Sequence, residues 1–409
     1  MRSNFLFSVA LAGLSSFVSS AERAQAASYS VIHAFTGGSD GGGPVGGLID
    51  VGGALYGTTA EGGNVKCYSP YGCGTVFKMT PGGIETVLHS FRNYEIDGFD
   101  PEGELTRVGS AFFGFASGAD PDNQAYKEIF QVNPTGYLKV LYKFLFRYPN
   151  DGYFPNGPLI DVGGTLYGTT TQGGFYGTTK KGKECVGYGC GTVFQISPAG
   201  VEKVLYAFQG GTDGANPNAG LIDVDGTLYG TTGRGGRFDA GTVFKITTSG
   251  MKAVVYSFRG SDNSSSADGS YPNGLVDVGG TLYGTCTYGG AAGVGTVFKV
   301  TTAGIEKVLY SFRGGSDGSV PLGSLISVGG VLYGTTILGG QPDTCGQEGG
   351  CGTVIKVTKT GAETVMHAFA GGSDGSAPNG KLVNVGNTIF GTTQGGGGSG
   401  AGTVFQVTP

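Results

Sequence analysis

Leu55-Tyr56-Gly57-Thr58-Thr59 returns almost unchanged along the chain. It recurs at 166–170, 228–232, 282–286 and 332–336, and again as Ile389-Phe390-Gly391-Thr392-Thr393. Phe112-Phe113-Gly114-Phe115-Ala116 is a degenerate copy. Successive starts lie 50 to 62 residues apart, a period that belongs to rings or solenoids of small sheets. Four strand-like runs surround the first copy, at 47–51, 54–59, 74–80 and 84–91. Gly52-Gly53 joins the first two and Pro81-Gly82-Gly83 the last two, short links that make antiparallel hairpins. One such meander cannot bury both of its faces; several packed face to face around an axis can.

The two ends of the chain decide between ring and solenoid. Gly-Thr-Val-Phe or a near match stands at 74–77, 191–194, 241–244, 295–298, 352–355 and 402–405, with Lys127-Glu128-Ile129-Phe130 as the degenerate seventh. Six fourth strands follow these, and the last repeat stops one strand short. The spare strand, Val31-Ile32-His33-Ala34-Phe35, is at the other end. Closing the last sheet with it removes the free edge that a solenoid must cap. The reading is an all-β, seven-bladed β-propeller of four-stranded antiparallel blades in one domain, 27–409. Its blades fall near 47–91, 104–144, 158–208, 220–258, 274–312, 324–369 and 381–409 plus 29–35. A β-solenoid is the alternative, and it leaves the offset ends unexplained.

The pattern G-x-L-I-D-V-x-G-x-L-Y-G-T-T-x-x-G-G followed by G-T-V-F-K resembles the GloVer-type tandem repeat of exported bacterial proteins. The resemblance covers nearly all of 29–409. It implies an extracytoplasmic, propeller-like repeat protein and supplies no reaction or catalytic residue.

Composition agrees. Gly is 84 of 409 residues and Pro 16, a content that without a period would mean low complexity; here the glycines fall at fixed places in each repeat. The net charge of −5 comes without a basic cluster, which argues against a nucleic-acid partner. Arg2, the apolar run 5–12 and Ala24-Gln25-Ala26 read as a signal peptide over 1–26. The expected location is secreted, periplasmic or extracellular, with no membrane span and a monomeric state. Cys67 and Cys73, Cys185 and Cys190, and Cys345 and Cys351 lie pairwise in three equivalent loops. They read as disulfides of an oxidising compartment rather than a zinc site, which needs about four ligands at one point. Cys286 replaces the second Thr of its repeat and reads as a small packed side chain.

Strand order puts the long connections, from second to third strand and from blade to blade, on one face. Function tends to reside in such loops. The blade-to-blade link carries Asp-Gly-x-x-Pro-x-Gly/Ala, beginning at Asp40, Asp97, Asp151, Asp213, Asp268, Asp317 and Asp374. Turn-building is the favoured reading of these acids; a structural Ca²⁺ site is the alternative, and no other cofactor is expected. A second recurrent acid, Asp50, Asp161, Asp223 and Asp277, precedes the short first hairpin and reads as its cap. His33, His89 and His367 share one fourth-strand position with Tyr142, Tyr206, Tyr256 and Tyr310. An interchangeable aromatic there is favoured over a catalytic base.

The clearest departure from symmetry is blade two with the link that enters it. Arg92, Tyr94, Asp97, Asp100, Arg107, Asp120, Asp122 and Tyr126 are therefore the ligand-binding candidates. The expected function is a non-enzymatic binding or surface-interaction scaffold for an extracellular glycan or protein. The alternative is a glycan-active hydrolase or lyase on the long-loop face near blade two. The chain has no Trp; Tyr68, Tyr71, Tyr153, Tyr176, Tyr188 and Tyr271 are the loop aromatics that could stack on a sugar.

Overall fold

The computed structural model describes residues 28–63, 67, 71–93, 95–119, 125–145, 151–174, 185, 189–260, 268–341, 345 and 349–409. Seven antiparallel sheets follow one another around an axis. Blade one is typical: Ile49–Val51, Ala54–Thr59, Thr75–Met79 and Glu85–Ser90 pair in sequence order. Blade seven is built from Val383–Val385, Thr388–Thr393 and Thr403–Thr408, and Ser28–Ala34 completes it as the outer strand. Ser28 pairs with Thr408 and Ala34 with Thr403, so the ring closes as the offset ends require. Blade three departs from the four-strand plan: Gly152–Pro155 adds a short fifth strand against Thr165–Gly173. That link stays extended instead of curling into the 3-10 turn found at Gly211–Asp213, Gly315–Asp317 and Gly372–Asp374.

Neighbouring blades are joined by aromatic side chains. The Phe that ends each outer strand packs edge-on against the Phe of the next blade's third strand. Phe35–Phe77, Phe91–Phe130, Phe144–Phe194, Phe208–Phe244, Phe258–Phe298 and Phe369–Phe405 have ring centres 4.9 to 5.4 Å apart. Phe312 meets Ile355 at the seventh junction. All of these side chains are fully buried, and T-shaped aromatic contacts add to the area they remove from water. Gly57 makes room for this packing: a Cβ there would lie 2.8 Å from the Phe77 ring and 2.9 Å from Leu48.

Hydroxyls supply the polar joints. Thr59 and Thr75 stand 2.9 Å apart across the second and third strands, and the pair repeats at Thr170–Thr192, Thr232–Thr242, Thr336–Thr353 and Thr393–Thr403. The preceding Thr reaches the next blade: Thr58 donates to Gly103 O, Thr169 to Ala219 O, Thr231 to Asn273 O and Thr392 to Gly46 O. The recurrent Leu-Tyr-Gly-Thr-Thr thus binds within its blade and between blades at once.

Candidate functional site

The seven Asp-Gly links and the seven fourth-strand aromatics form one construction. In six of the seven links the Asp is hydrogen-bonded to the aromatic that ends the preceding blade, and in the first His33 only approaches Asp40. Tyr142 donates to Asp151 at 2.8 Å and Tyr206 to Asp213 at 2.8 Å; Tyr256 and Tyr310 donate to Asp268 and Asp317. His89 and His367 lie 3.0 Å from Asp97 and Asp374, and His33 lies 3.8 Å from Asp40. In six links a backbone N–H just upstream also donates to the Asp, from Thr36, Arg92, Gln209, Arg259, Arg313 and Ala370. Read separately, the acids and the aromatics are two repeats; the missed signal was that Tyr and His can both donate and together fill the position seven times, once for each Asp.

Four residues further on, the links converge on the axis. Their Pro-x-Gly segments and the starts of the inner strands enclose a cavity of about 480 Å³ on the long-loop side. Backbone meets backbone here: a Cβ on Gly46 would lie 2.1 Å from Gly103 O. Glu61, Asp100, Glu102 and Glu104 line the side of blades one and two, and Asn156, Asn218, Asn273 and Asn379 line much of the remainder. Lys381 is the cationic lining residue among those described and lies 3.3 Å from Glu104. Glu102 is paired at 2.8 Å with Lys127. Burial raises the Asp100 carboxyl to about 6; the Glu102 and Glu61 carboxylates push it the same way and Lys127 opposes them. Asp100 also has a φ of +51°, shared in form by Phe154, Asn216, Tyr271, Val320 and Ala377, the residues before Pro in other links. That conformation is unusual for residues other than Gly. Asp100 N–H donates to Cys73 O, which anchors the turn to the disulfide-bearing loop of blade one.

The sequence-predicted candidates separate in space. Asp100 lines the axial cavity. Asp97 is 3 % exposed and is engaged by His89, by Arg92 N–H and by Arg92 Nε at 2.9 Å. Burial opposes its ionisation, but these bonds together hold its carboxyl below the usual range. Arg107 lies at the opposite, short-turn end, donating to Gly109 O at 2.8 Å. Tyr126 is buried and accepts from Lys143 Nζ at 2.7 Å. Tyr94, Asp120 and Asp122 lie outside the described residues, as do Tyr68, Tyr176, Tyr188 and the segment 1–26. Tyr71 is exposed, Tyr153 donates to Ala125 O, and Tyr271 accepts from Arg234 Nε. Cavity residues Glu61, Glu102, Glu104 and the Asn set were not singled out by sequence, because each is an ordinary polar residue of a link or inner strand until the ring places them side by side.

Blade two replaces a threonine joint with charge. Ala116 and Glu128 stand where other blades carry paired Thr, and Lys143 pairs across from Glu128 where they carry Ser or Ala. Glu128 is 1 % exposed and neither carboxyl oxygen has a protein partner; Lys143 Nζ is 4.0 Å away. Burial raises this carboxyl to about 7, Lys143 opposing and Asp97 reinforcing. Disulfides join Cys67–Cys73, Cys185–Cys190 and Cys345–Cys351. Cys286 is free and fully buried, and burial pushes its thiol well above the ordinary value. Among the described residues no group of three or more His, Cys, Asp or Glu is arranged to hold a metal ion. No helix among them is long and apolar enough to cross a membrane. Asp50, Asp161 and Asp277 accept from Gly53, Gly164 and Gly280 N–H across the first hairpin, a cap and not a channel lining.

The family described as the Gloeobacter/Verrucomicrobia repeat matches residues 18–175 and 171–347. The chain belongs to this repeat family. No curated protein matches it in sequence. Among solved structures, a putative gluconolactonase is 14 % identical with a TM-score of 0.39, over 76 % of this chain and 87 % of that one. A puromycin-hydrolyzing peptidase of Mycobacterium tuberculosis is 12 % identical with a TM-score of 0.43, over 88 % of this chain and 60 % of that one. A neuraminidase-like N11 protein of a flat-faced bat influenza virus from Peru is 10 % identical with a TM-score of 0.40, over 73 % and 84 %.

Proposed function

We propose that this repeat protein is an exported binding propeller whose axial cavity takes a small polar group, such as the end of a glycan, without turning it over. One observation carries the reading: all seven links contribute to a single concave site of about 480 Å³ walled by carboxylates, carboxamides and glycine backbone. That size is usual for a ligand pocket. Three disulfides support export, since such bonds persist in oxidising compartments, and the signal-like segment 1–26 agrees with it.

The Asp100–Glu102 pair supports a second reading, hydrolysis of a glycan. One carboxyl raised to about 6 beside another is the arrangement that lets one act as acid while the other stays ionised. Mutual contact counts against it, because the two carboxyls of a glycosidase stand roughly 5–10 Å apart around the scissile bond. A glycan array and a polysaccharide-degradation screen on the protein without residues 1–26 separate the readings. Binding that is lost in Asp100→Asn and comes without product release supports the first. Product release abolished by Asp100→Asn or Glu102→Gln replaces it with the second, and failure to retain any glycan overturns both.

A further inference from the structure

The short-turn face carries a repeat that the fold does not require. The turn from third to outer strand clamps one residue by both of its backbone groups. Thr80 N–H donates to Ile84 O at 3.0 Å, and Thr80 Oγ1 accepts from Ile84 N–H at 3.1 Å. The same pair of bonds holds Tyr137, Val201, Met251, Ile305 and Ala362 in their blades. The clamp engages the backbone of that residue alone, so it asks nothing of the side chain. Five blades nevertheless place a large apolar one there: Ile84, Tyr137, Val201, Met251 and Ile305 are 69 to 71 % exposed. Exposed apolar residues scattered singly need no explanation; five at one equivalent place do. The repeated register sets them at one height, as a crown around the face opposite the axial cavity. In blade seven the place belongs to Ser28 at the seam.

Lysines stand behind the crown. Two residues into each of these six hairpins, a pair of facing strand positions carries Lys78, Lys139, Lys203, Lys245, Lys307 or Lys356, and neither position is ever acidic. Side chains two residues apart share one side of a sheet, so each lysine lies roughly 7 Å behind its crown position, within reach of a four-carbon stem. None of the six is paired with a carboxylate among the described residues. The sequence scatters these charges over a chain of net charge −5, and the ring gathers them on one rim. Acids at this end, such as Asp50, Asp161 and Asp277, lie in the first hairpins, nearest the axis, and are spent as caps.

We infer that the short-turn face docks on an anionic lipid surface, with the crown set into the bilayer interface and the lysines at the headgroup phosphates. Adsorption of this kind adds buried apolar area to attraction for anionic lipid. A planar partner meets all five crown residues at once. A second copy of the chain, crown to crown, brings two lysine rims together and is repelled. A soluble polyanion uses the lysines and leaves the crown in water. Docked on lipid, the chain holds its axial cavity on the side away from the bilayer.

Vesicle sedimentation of the protein without residues 1–26 tests this, using phosphatidylcholine with and without phosphatidylglycerol as a third of the lipid. The expected result is at least tenfold tighter binding to the anionic vesicles. That advantage is lost between about 0.1 M and about 1 M salt, where the screening length falls from about 10 Å to about 3 Å. The triple variant Ile84→Ser, Val201→Ser, Ile305→Ser should bind at least tenfold more weakly and melt as wild type, since these side chains are already in water. Phe238→Ser, exposed in a long loop on the cavity side, should bind as wild type. The chain has no Trp, so Tyr137→Trp is a single reporter. Its emission shifts to the blue on anionic vesicles, and that of Phe238→Trp does not. Equal binding to both lipids, or undiminished binding by the triple variant, overturns the inference. A blue shift at Phe238→Trp without one at Tyr137→Trp does the same, as does the absence of vesicle binding. Self-association that the triple variant abolishes, without lipid binding, gives the crown to a second copy and also overturns it. The glycan reading stands or falls separately, because its cavity is on the other face.

Discussion

A carboxylate hydrogen-bonded by a phenol in four links and by an imidazole in two makes the fourth-strand position exchangeable in chemistry, not only in shape. His89→Tyr should therefore unfold at nearly the wild-type temperature. His89→Phe leaves the buried Asp97 short of a donor and should cost about 2 kcal/mol, the scale of a hydrogen bond to a charged group. Thermal and urea unfolding of the two variants checks this, and equal losses would show that the aromatic matters by bulk alone. A second residue-level consequence concerns acids at the start of the outer strands. Burial raises Glu85, Glu306 and Glu363 to about 7 and Glu202 to about 8, and the Asp of the preceding link adds to each shift. The folded ring holds these protons at pH values where the unfolded chain, ionising near 4.5, has lost them. Their contribution is complete below the unfolded value and is lost as pH rises from about 4.5 to about 7 or 8. His33, lowered by burial, acts in the opposite sense below its ordinary value. Glu202→Gln should flatten the fall in melting temperature between pH 5 and pH 8, and an unchanged slope would remove Glu202 from the account.

Elements in this chain are cut to meet their neighbours. Phe244 fills the junction of blades three and four, and Phe244→Ala should cost about 3–5 kcal/mol through the cavity it leaves. Chemical denaturation measures it, and a loss under 1 kcal/mol would mean that the junction collapses around the gap. Each disulfide closes a loop of a few residues and should add about 2 kcal/mol against the unfolded chain. Reduction should accordingly lower the melting temperature and open the loops of blades one, three and six to protease first. The elements were legible in the sequence because Tyr-Gly-Thr-Thr and Gly-Thr-Val-Phe mark the second and third strands in nearly every blade. Less legible was the bulge that shifts the register between third and outer strands at Val76/Phe77 and its equivalents. It adds one residue to a strand whose sequence still alternates. The fifth strand at Gly152–Pro155 was missed because Asp-Gly-Tyr-Phe-Pro carries the same turn signature as links that curl. Of the candidate site, Asp100 could be picked out from the asymmetry of its link. Glu61, Glu104, Asn218 and Asn379 could not, since only curvature brings residues hundreds of positions apart to one wall.

Across the whole molecule the ring has one seam that is held by strand pairing instead of by chain continuity. Deleting residues 28–35 should expose the edge of Thr403–Thr408 and remove Phe35 from its place against Phe77. The truncated protein should melt lower, bind a hydrophobic dye and associate through the bare edge. Moving the same residues to follow Pro409 should restore the ring. A truncated chain that stays monomeric with wild-type stability would show that closure is dispensable.

That seam also sets the timing of assembly. Ser28 is made 380 residues before its partner Thr408. Six blades can dock in order as the chain lengthens, but the outer strand of the seventh has nothing to pair with until Thr403–Thr408 has been made. The contact of greatest sequence separation is therefore the last to form, and contacts of that kind are slow. The axial cavity, whose lining residues run from Val45 to Gln394, needs all seven links in place. A half-made chain has blades but no site.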